Sequence, residues 1–202
     1  MPDYTEIVQD KFERVLNQSV VRILSADGFQ QDGTHFWLKI GRIGRVVQIH
    51  RNSSHRQMAV FTFHAKIYSD DFWDLEHPDE PLPDRWYDGW QSMVFHKNVG
   101  DFFGKNRGTQ WLTGDALTNE EEMIARLNHL MTRHILPYLN KFSTIDDILD
   151  ELEHPSVRRM IMLGWLGRRA EAYAELTHLI AHDHQTRRRL NYLRVARRYR
   201  II

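Results

Sequence analysis

The 202-residue chain carries 27 Lys and Arg against 27 Asp and Glu, so its formal charge is zero, and it has no cysteine. Disulfides, thiolate zinc sites and thiol catalysis are thereby excluded. No apolar run approaches the roughly 18 residues that span a bilayer, and Met1-Pro2-Asp3-Tyr4 places no basic segment before an apolar one, so no signal peptide is expected. These features predict a cytoplasmic protein without membrane contact. The charge is unevenly spread: residues 154–202 hold 11 basic and 3 acidic side chains, and residues 1–153 hold 16 and 24. The chain is therefore expected to divide into an acidic body, 1–153, and a basic appendage, 154–202.

Residues 3–27 read as one helix, because Ile7, Val8, Phe12, Val15, Leu16 and Ile23 form a single apolar stripe. Asp3 is the expected N-cap. Asp27-Gly28 ends the helix, since glycine accepts the left-handed conformation there, and Phe29 is expected to tuck back. Gln30 to Gly33 then turns into a sheet. Alternation predicts strands over His35–Ile40, Arg45–Arg51 and Gln57–Tyr68. They are joined by Gly41-Arg42-Ile43-Gly44 and by Asn52-Ser53-Ser54. The face of Ala59, Phe61, Phe63, Ala65 and Ile67 is apolar; that of Met58, Val60, Thr62, His64, Lys66 and Tyr68 is mixed.

Residues 70–90 hold three prolines, eight acids and five large aromatics, and read as an irregular loop. Ser92–Val99 and Gly108–Thr113 are two further strands, separated by a turn at Gly100–Arg107. They bring the sheet to about five strands, near the common size. A capping box at Thr118 and Glu121 opens a helix that Pro137 kinks or ends. Ser143-Thr144 caps a short helix over 145–153 with Ile148, Leu149 and Leu152 inward. His154-Pro155 breaks the chain. Pro155 is expected to start a helix to Leu166; Gly167 ends it; Arg168–Ala181 follows, and Asp183 caps a last helix through Arg200. LGRRAEAYAEL (166–176) is similar to the middle of a tetratricopeptide hairpin. A single copy favours an ordinary helical pair docked on the body, since such arrays stack at least three units.

The order of these elements carries a resemblance. Gly28-Phe29 followed by the FWLKI strand, the VFTFHAKIY strand and the LPYLNKFSTIDDILDEL ending resemble the bacterial "domain of unknown function 4304" family over about residues 5–153. The resemblance implies an α+β body and transfers no catalytic residue. Small α+β domains of this kind also resemble immunity proteins in fold and size.

Four constellations are candidates for function. In the 70–90 loop, Trp73, Glu76, Asp84, Trp86, Tyr87 and Trp90 combine aromatic anchors with acids that steer basic partners; the plainer reading is a lid on the sheet. Arg187, Arg194 and Arg198 trace one side of the last helix and Leu190, Leu193 and Ile201 another; with Arg188 these arginines suit phosphate. The plainer reading is a solvated or docked basic face. His178 and His182, four apart, share a helical face as two metal ligands must, but no glutamate follows His178, so the metalloprotease pattern is incomplete. His50 and His64 lie on neighbouring strands and are expected to share a face with His35, within reach of Asp70, Asp71, Asp74 or Glu76 for acid–base work. The leading expectation is a non-enzymatic protein-interaction module, immunity-like, using the aromatic-acidic loop and the free sheet face, with a basic partner and no cofactor. Nucleic-acid binding through the Arg-rich helix is the alternative; a metal-dependent His/carboxylate enzyme is the third.

Overall fold

A computed structural model describes residues 4–52, 54, 55, 57–89, 93–104 and 110–202. Asp3, Ser53, Trp90, Ser92 and the Gly108 start of the last expected strand lie outside these residues. The described chain groups into two compact units, 1–70 with 82–143, and 71–81 with 144–202; the second begins upstream of the His154-Pro155 break.

The first unit is α+β. Its N-terminal helix runs as α1 (Tyr4–Leu16), a π-helical segment (Asn17–Val21) and α2 (Arg22–Ala26). It ends as expected: Gly28 N donates to Ser25 O and Phe29 N to Leu24 O, and Phe29 is buried. This is the double bond pattern of a glycine C-cap. The sheet has six strands: β1 (Gln30–Asp32), β2 (His35–Ile40), β3 (Ile43–Asn52), β4 (Ala59–Ser69), β5 (Met93–Asn98) and β6 (Leu112–Gly114). β1 to β5 are neighbours in chain order, all antiparallel, and β6 pairs with β4. The eleven-residue β4 is long enough to hold β5 along Ile67 to His64 and β6 along Phe61 to Ala59.

Three expectations are corrected here. Gln30–Asp32 is an edge strand rather than a turn: its polar side chains carry no alternation, and its pairing rests on backbone bonds to β2. The β2–β3 return is two residues, Gly41-Arg42, not four. Ile40 pairs with Ile43, and Gly41 alone takes positive φ (56°), the pattern of a tight hairpin whose twist suits the flanking strands. The last strand starts at Leu112, so Trp111 precedes it.

Helices cover one face of the sheet. Val8, Phe12 and Val15 of α1 are buried, with the Phe12 ring 4.6 Å edge-on from Phe61. Phe61, Phe63, Ala65 and Ile67 are at most 1% exposed; full burial of such large side chains stabilises by about 1.5–3 kcal/mol each. α4 (Glu120–Leu130) packs on α1 and on the π segment. Its N-cap is Asn119, which accepts from Glu121 N and Glu122 N. Thr118 instead bonds Asp115, so the cap is displaced by one residue and the expected Thr118–Glu121 box does not form. Pro137 does not end this helix. A second π segment (Met131–Ile135) precedes α5 (Leu136–Leu139), and Leu136 N reaches back five residues to Met131 O. The wider turn makes room where the proline ring would clash and has no N–H to give. Beyond it, Arg45 (5% exposed) crosses from β3 to the chain after α5. It donates to Phe142 O, Asn140 Oδ1 and Ser143 Oγ at 2.6 to 2.9 Å.

The second unit is helical: α3 (Asp70–Glu76, whose first residue closes the first unit), α6 (Ile145–Glu151), α7 (Val157–Trp165), α8 (Arg169–His182) and α9 (Thr186–Arg198). The 70–90 stretch is thus not all loop. Phe72 and Trp73, adjacent on α3, are both buried. α6 is capped by Thr144 as expected, and Asp147 completes a capping box with it. Pro155 is not the first residue of α7, because Ser156 is its N-cap and bonds Arg159 N. Asp183 accepts from Gln185 N, yet α9 has no side-chain cap. α7 and α8 pack together, and α9 packs on both. At their centre Glu175, 2% exposed, accepts from Ser156 N (2.7 Å), lies 2.6 Å from His154 Nδ1 and has Arg159 at 3.7 Å.

Candidate functional site

The face of the sheet opposite the helices gathers the chemistry. Strand registers align His35 with Gln48, Gln48 with His64, and His64 with Asn98, a polar row across β2 to β5. The next row is Trp37, Val46, Lys66 and His96; on the other side His50 stands opposite Thr62. Facing side chains in such rows are in contact distance.

One end of this face is roofed by residues 82–89. The Trp86 ring lies so close over Gly44 that a Cβ there would sit 2.1 Å from a ring carbon. Trp37 stacks on Tyr87 (5.4 Å, 7°), and Val46, Tyr68, Trp86 and Tyr87 form a buried cluster. Tyr68 Oη donates to Gly89 O (2.6 Å) and Tyr87 Oη to Asp32 Oδ2 (2.7 Å); Arg85 pairs with the same carboxylate at 2.9 Å. Burial, then Asp88, raises the Tyr68 pKa far above the phenol range.

Beyond the roof the row is half-open. His64, His96, Gln48 and Asn98 are partly buried; His50 and Trp111 are exposed, their rings 5.7 Å apart. His64 Nδ1 and His96 Nε2 lie 2.6 Å apart, so one ring donates and the other accepts. Two imidazolium rings, with donors only, cannot make that contact. Burial, then His96, Lys66 and His50, pushes the His64 pKa down to about 4. Burial and Lys66 lower His96 as well. His35 is lowered mainly by burial, against the pull of Asp88. Its Nε2 stands 3.3 Å from Asp88 Oδ1, within ion-pair range but without hydrogen-bond geometry. Lys66, 2% exposed, is itself lowered by burial, with Asp88 opposing. Three neutral imidazoles therefore surround one buried amine at neutral pH.

The expected sharing of a face by His35, His50 and His64 is met. The carboxylate beside His35 is Asp88; of the expected ones, Asp70 pairs with Lys39 at 3.0 Å. His96, Lys66 and Trp111 were not singled out from the sequence. The alternation of Met93–Asn98 puts His96 on the same face as Lys66 once the register is known.

Of the proposed aromatic anchors, Trp86 and Tyr87 are 9% and 7% exposed and belong to the roof just described. Trp73 is 3% exposed in the helical unit, stacked on His77 (4.0 Å) and bonded to Glu80 O. Glu76 and Asp84 are exposed. The lid reading fits Trp86 and Tyr87, whose rings are buried in the roof over the sheet. Arg187, Arg188, Arg194 and Arg198 are all exposed on α9. Leu190, expected on the packed side, is 62% exposed among them. The phase of α9 is set instead by Arg189 and Tyr192, which bond the backbone and the carboxylate of Asp183, with Ala196 buried below. His178 and His182 are exposed with ring centroids 6.2 Å apart, and His182 Nδ1 lies 2.8 Å from His178 O. Among the described residues no group of three or more His, Asp or Glu comes together as a metal site, and no helix is long and apolar enough to cross a membrane.

The fold is an α+β domain, an antiparallel sheet under helices, joined to helices that follow it in the chain. A protein-family model matches residues 20–141. The chain belongs to that family, described as Domain of unknown function (DUF4304). No curated protein and no solved structure matches.

Proposed function

We propose that the chain is a non-enzymatic protein-interaction module that docks a partner on the half-open face of its sheet. The observation that carries this reading is the half-buried row Gln48, His64 and Asn98, with exposed His50 and Trp111 beside it. Neutral imidazoles and amides both donate and accept, so they match a partner backbone or side chain without burying net charge. An exposed tryptophan supplies the kind of large contact that dominates interface energetics. Asp32 and Asp88, each 45% exposed at the roofed end, suit basic residues on the partner. The immunity-like reading adds a toxin as the class of partner and rests on fold and size alone.

The test is affinity capture with the full chain from the cells that make it, beside Trp111→Ala and His50→Asp. A protein held by the wild type and lost by both variants, with unchanged circular dichroism, is the expected result. A partner retained by both variants, or none held by the wild type, counts against the reading.

A further inference from the structure

The arginine face of α9 is independent of the sheet. α9 carries six arginines and no acid over Thr186–Arg198. Its inner side is committed: Arg189 Nε donates to Asp183 O, Tyr192 Oη donates to Asp183 Oδ2 at 2.8 Å, and Ala196 is buried. After the helix, Ile201 closes on Gly164, where a Cβ would stand 2.9 Å from the Ile201 side chain. The helix is thereby held at both ends against its own unit. Its outer side is not committed. Arg187, Arg188, Leu190, Asn191 and Arg194 line an open depression. Among the described residues, the one carboxylate paired with these side chains is Asp183, 4.0 Å from Arg188 and already bonded to Gln185 N and Tyr192. Arg187 and Arg194 have no ion pair among the described residues, and Arg198 has only the Tyr199 ring, 5.7 Å away.

The geometry points to this outer face of α9 as a docking surface for the phosphate backbone of a nucleic acid. A helix rises 1.5 Å per residue, so Arg187, Arg194 and Arg198 spread over roughly 16 Å along one side. A line of guanidinium forks of that length meets successive phosphates, each bound bidentately. A membrane surface would need a broad apolar stripe to insert beside the arginines. On this side of the helix Leu190 is the one large apolar residue, set among Arg187, Asn191 and Arg194.

The experiment is fluorescence anisotropy of a labelled duplex of about two helical turns, titrated with the full chain across salt concentrations. Four phosphate contacts, from Arg187, Arg194 and Arg198 with Arg188 beside them, predict a slope of about −3.6 in log K against log salt, a loss of about 100-fold between 50 and 200 mM. The double variant Arg187→Ala/Arg194→Ala should keep the fold, because both side chains are exposed. It should halve that slope, to about −1.8, and leave a loss of about tenfold over the same range. No duplex binding at low salt, binding untouched by the double variant, or equal binding to polyglutamate or phosphatidylserine vesicles would overturn the proposal. Loss of binding here leaves the sheet-face reading intact, since that rests on different residues and a different assay.

Discussion

Acidification should destabilise the first unit through His64. Its folded pKa is pushed down to about 4 from 6.5. The groups that face it are His50 on β3, Lys66 on its own strand, His96 on β5 and Asp101 after β5. Only Asp101 favours the charged ring. Because the folded pKa is depressed, the unfolded chain takes up the proton first as pH falls. Stability is full above the unfolded pKa, falls through the window from about 6.5 to 4, and levels off below it. A shift of that size is worth about 3 kcal/mol at 1.36 kcal/mol per pH unit. That is a large fraction of the roughly 5–15 kcal/mol of a typical domain. The assay is urea unfolding between about pH 7 and pH 4 for the wild type and for His64→Gln, which keeps a hydrogen-bonding group but does not titrate. The wild type should lose about 3 kcal/mol more than the variant over this range. Parallel curves, or an imidazole resonance of His64 titrating near its ordinary pKa, would refute the reasoning.

Other substitutions test the packing around the site and the helical unit. Gly44→Ala drives a methyl into the Trp86 ring; a loss of about 1–3 kcal/mol is expected from overpacking, with a change in tryptophan fluorescence as the roof shifts. Arg45→Met removes three donors from the chain after α5 and should cost about 2–4 kcal/mol, read as a lower urea midpoint. Glu175→Ala leaves Ser156 N without its acceptor and His154 and Arg159 without their carboxylate. It should cost about 3–5 kcal/mol, visible as loss of helical circular dichroism at a lower temperature than in the wild type. Thr144→Ala should cost about 1 kcal/mol through the lost cap of α6.

Much of the architecture was legible because it is local. Alternation in His35–Ile40 and in the long strand set which side chains share a face, and Gly28-Phe29 set the end of the first helix. Those patterns depend only on chain geometry within a few residues. The aromatic-acidic stretch was legible as composition but not as function. Whether Trp86 anchors a partner or fills the core depends on Gly44, more than forty residues away in sequence, offering no side chain beneath it. On α9 the side of Arg187, Arg194 and Arg198 was legible from spacing, but Leu190 falls among them, because the Arg189 and Tyr192 bonds to Asp183 help to set which side faces inward and no periodicity records them.

By itself the sequence determined the long helices, the three central strands and their antiparallel meander, the helix-covered Phe61–Ile67 face and the basic tail. Each follows from side-chain periodicity, turn chemistry or charge count. Only the tertiary structure decided the register that lines up His35, Gln48, His64 and Asn98, brought His96 and Lys66 beside them, and buried Trp73, Trp86 and Tyr87. Register and burial depend on contacts between distant segments, and these also lower the histidine pKa values, because desolvation acts on a group only once the rest of the fold has closed around it.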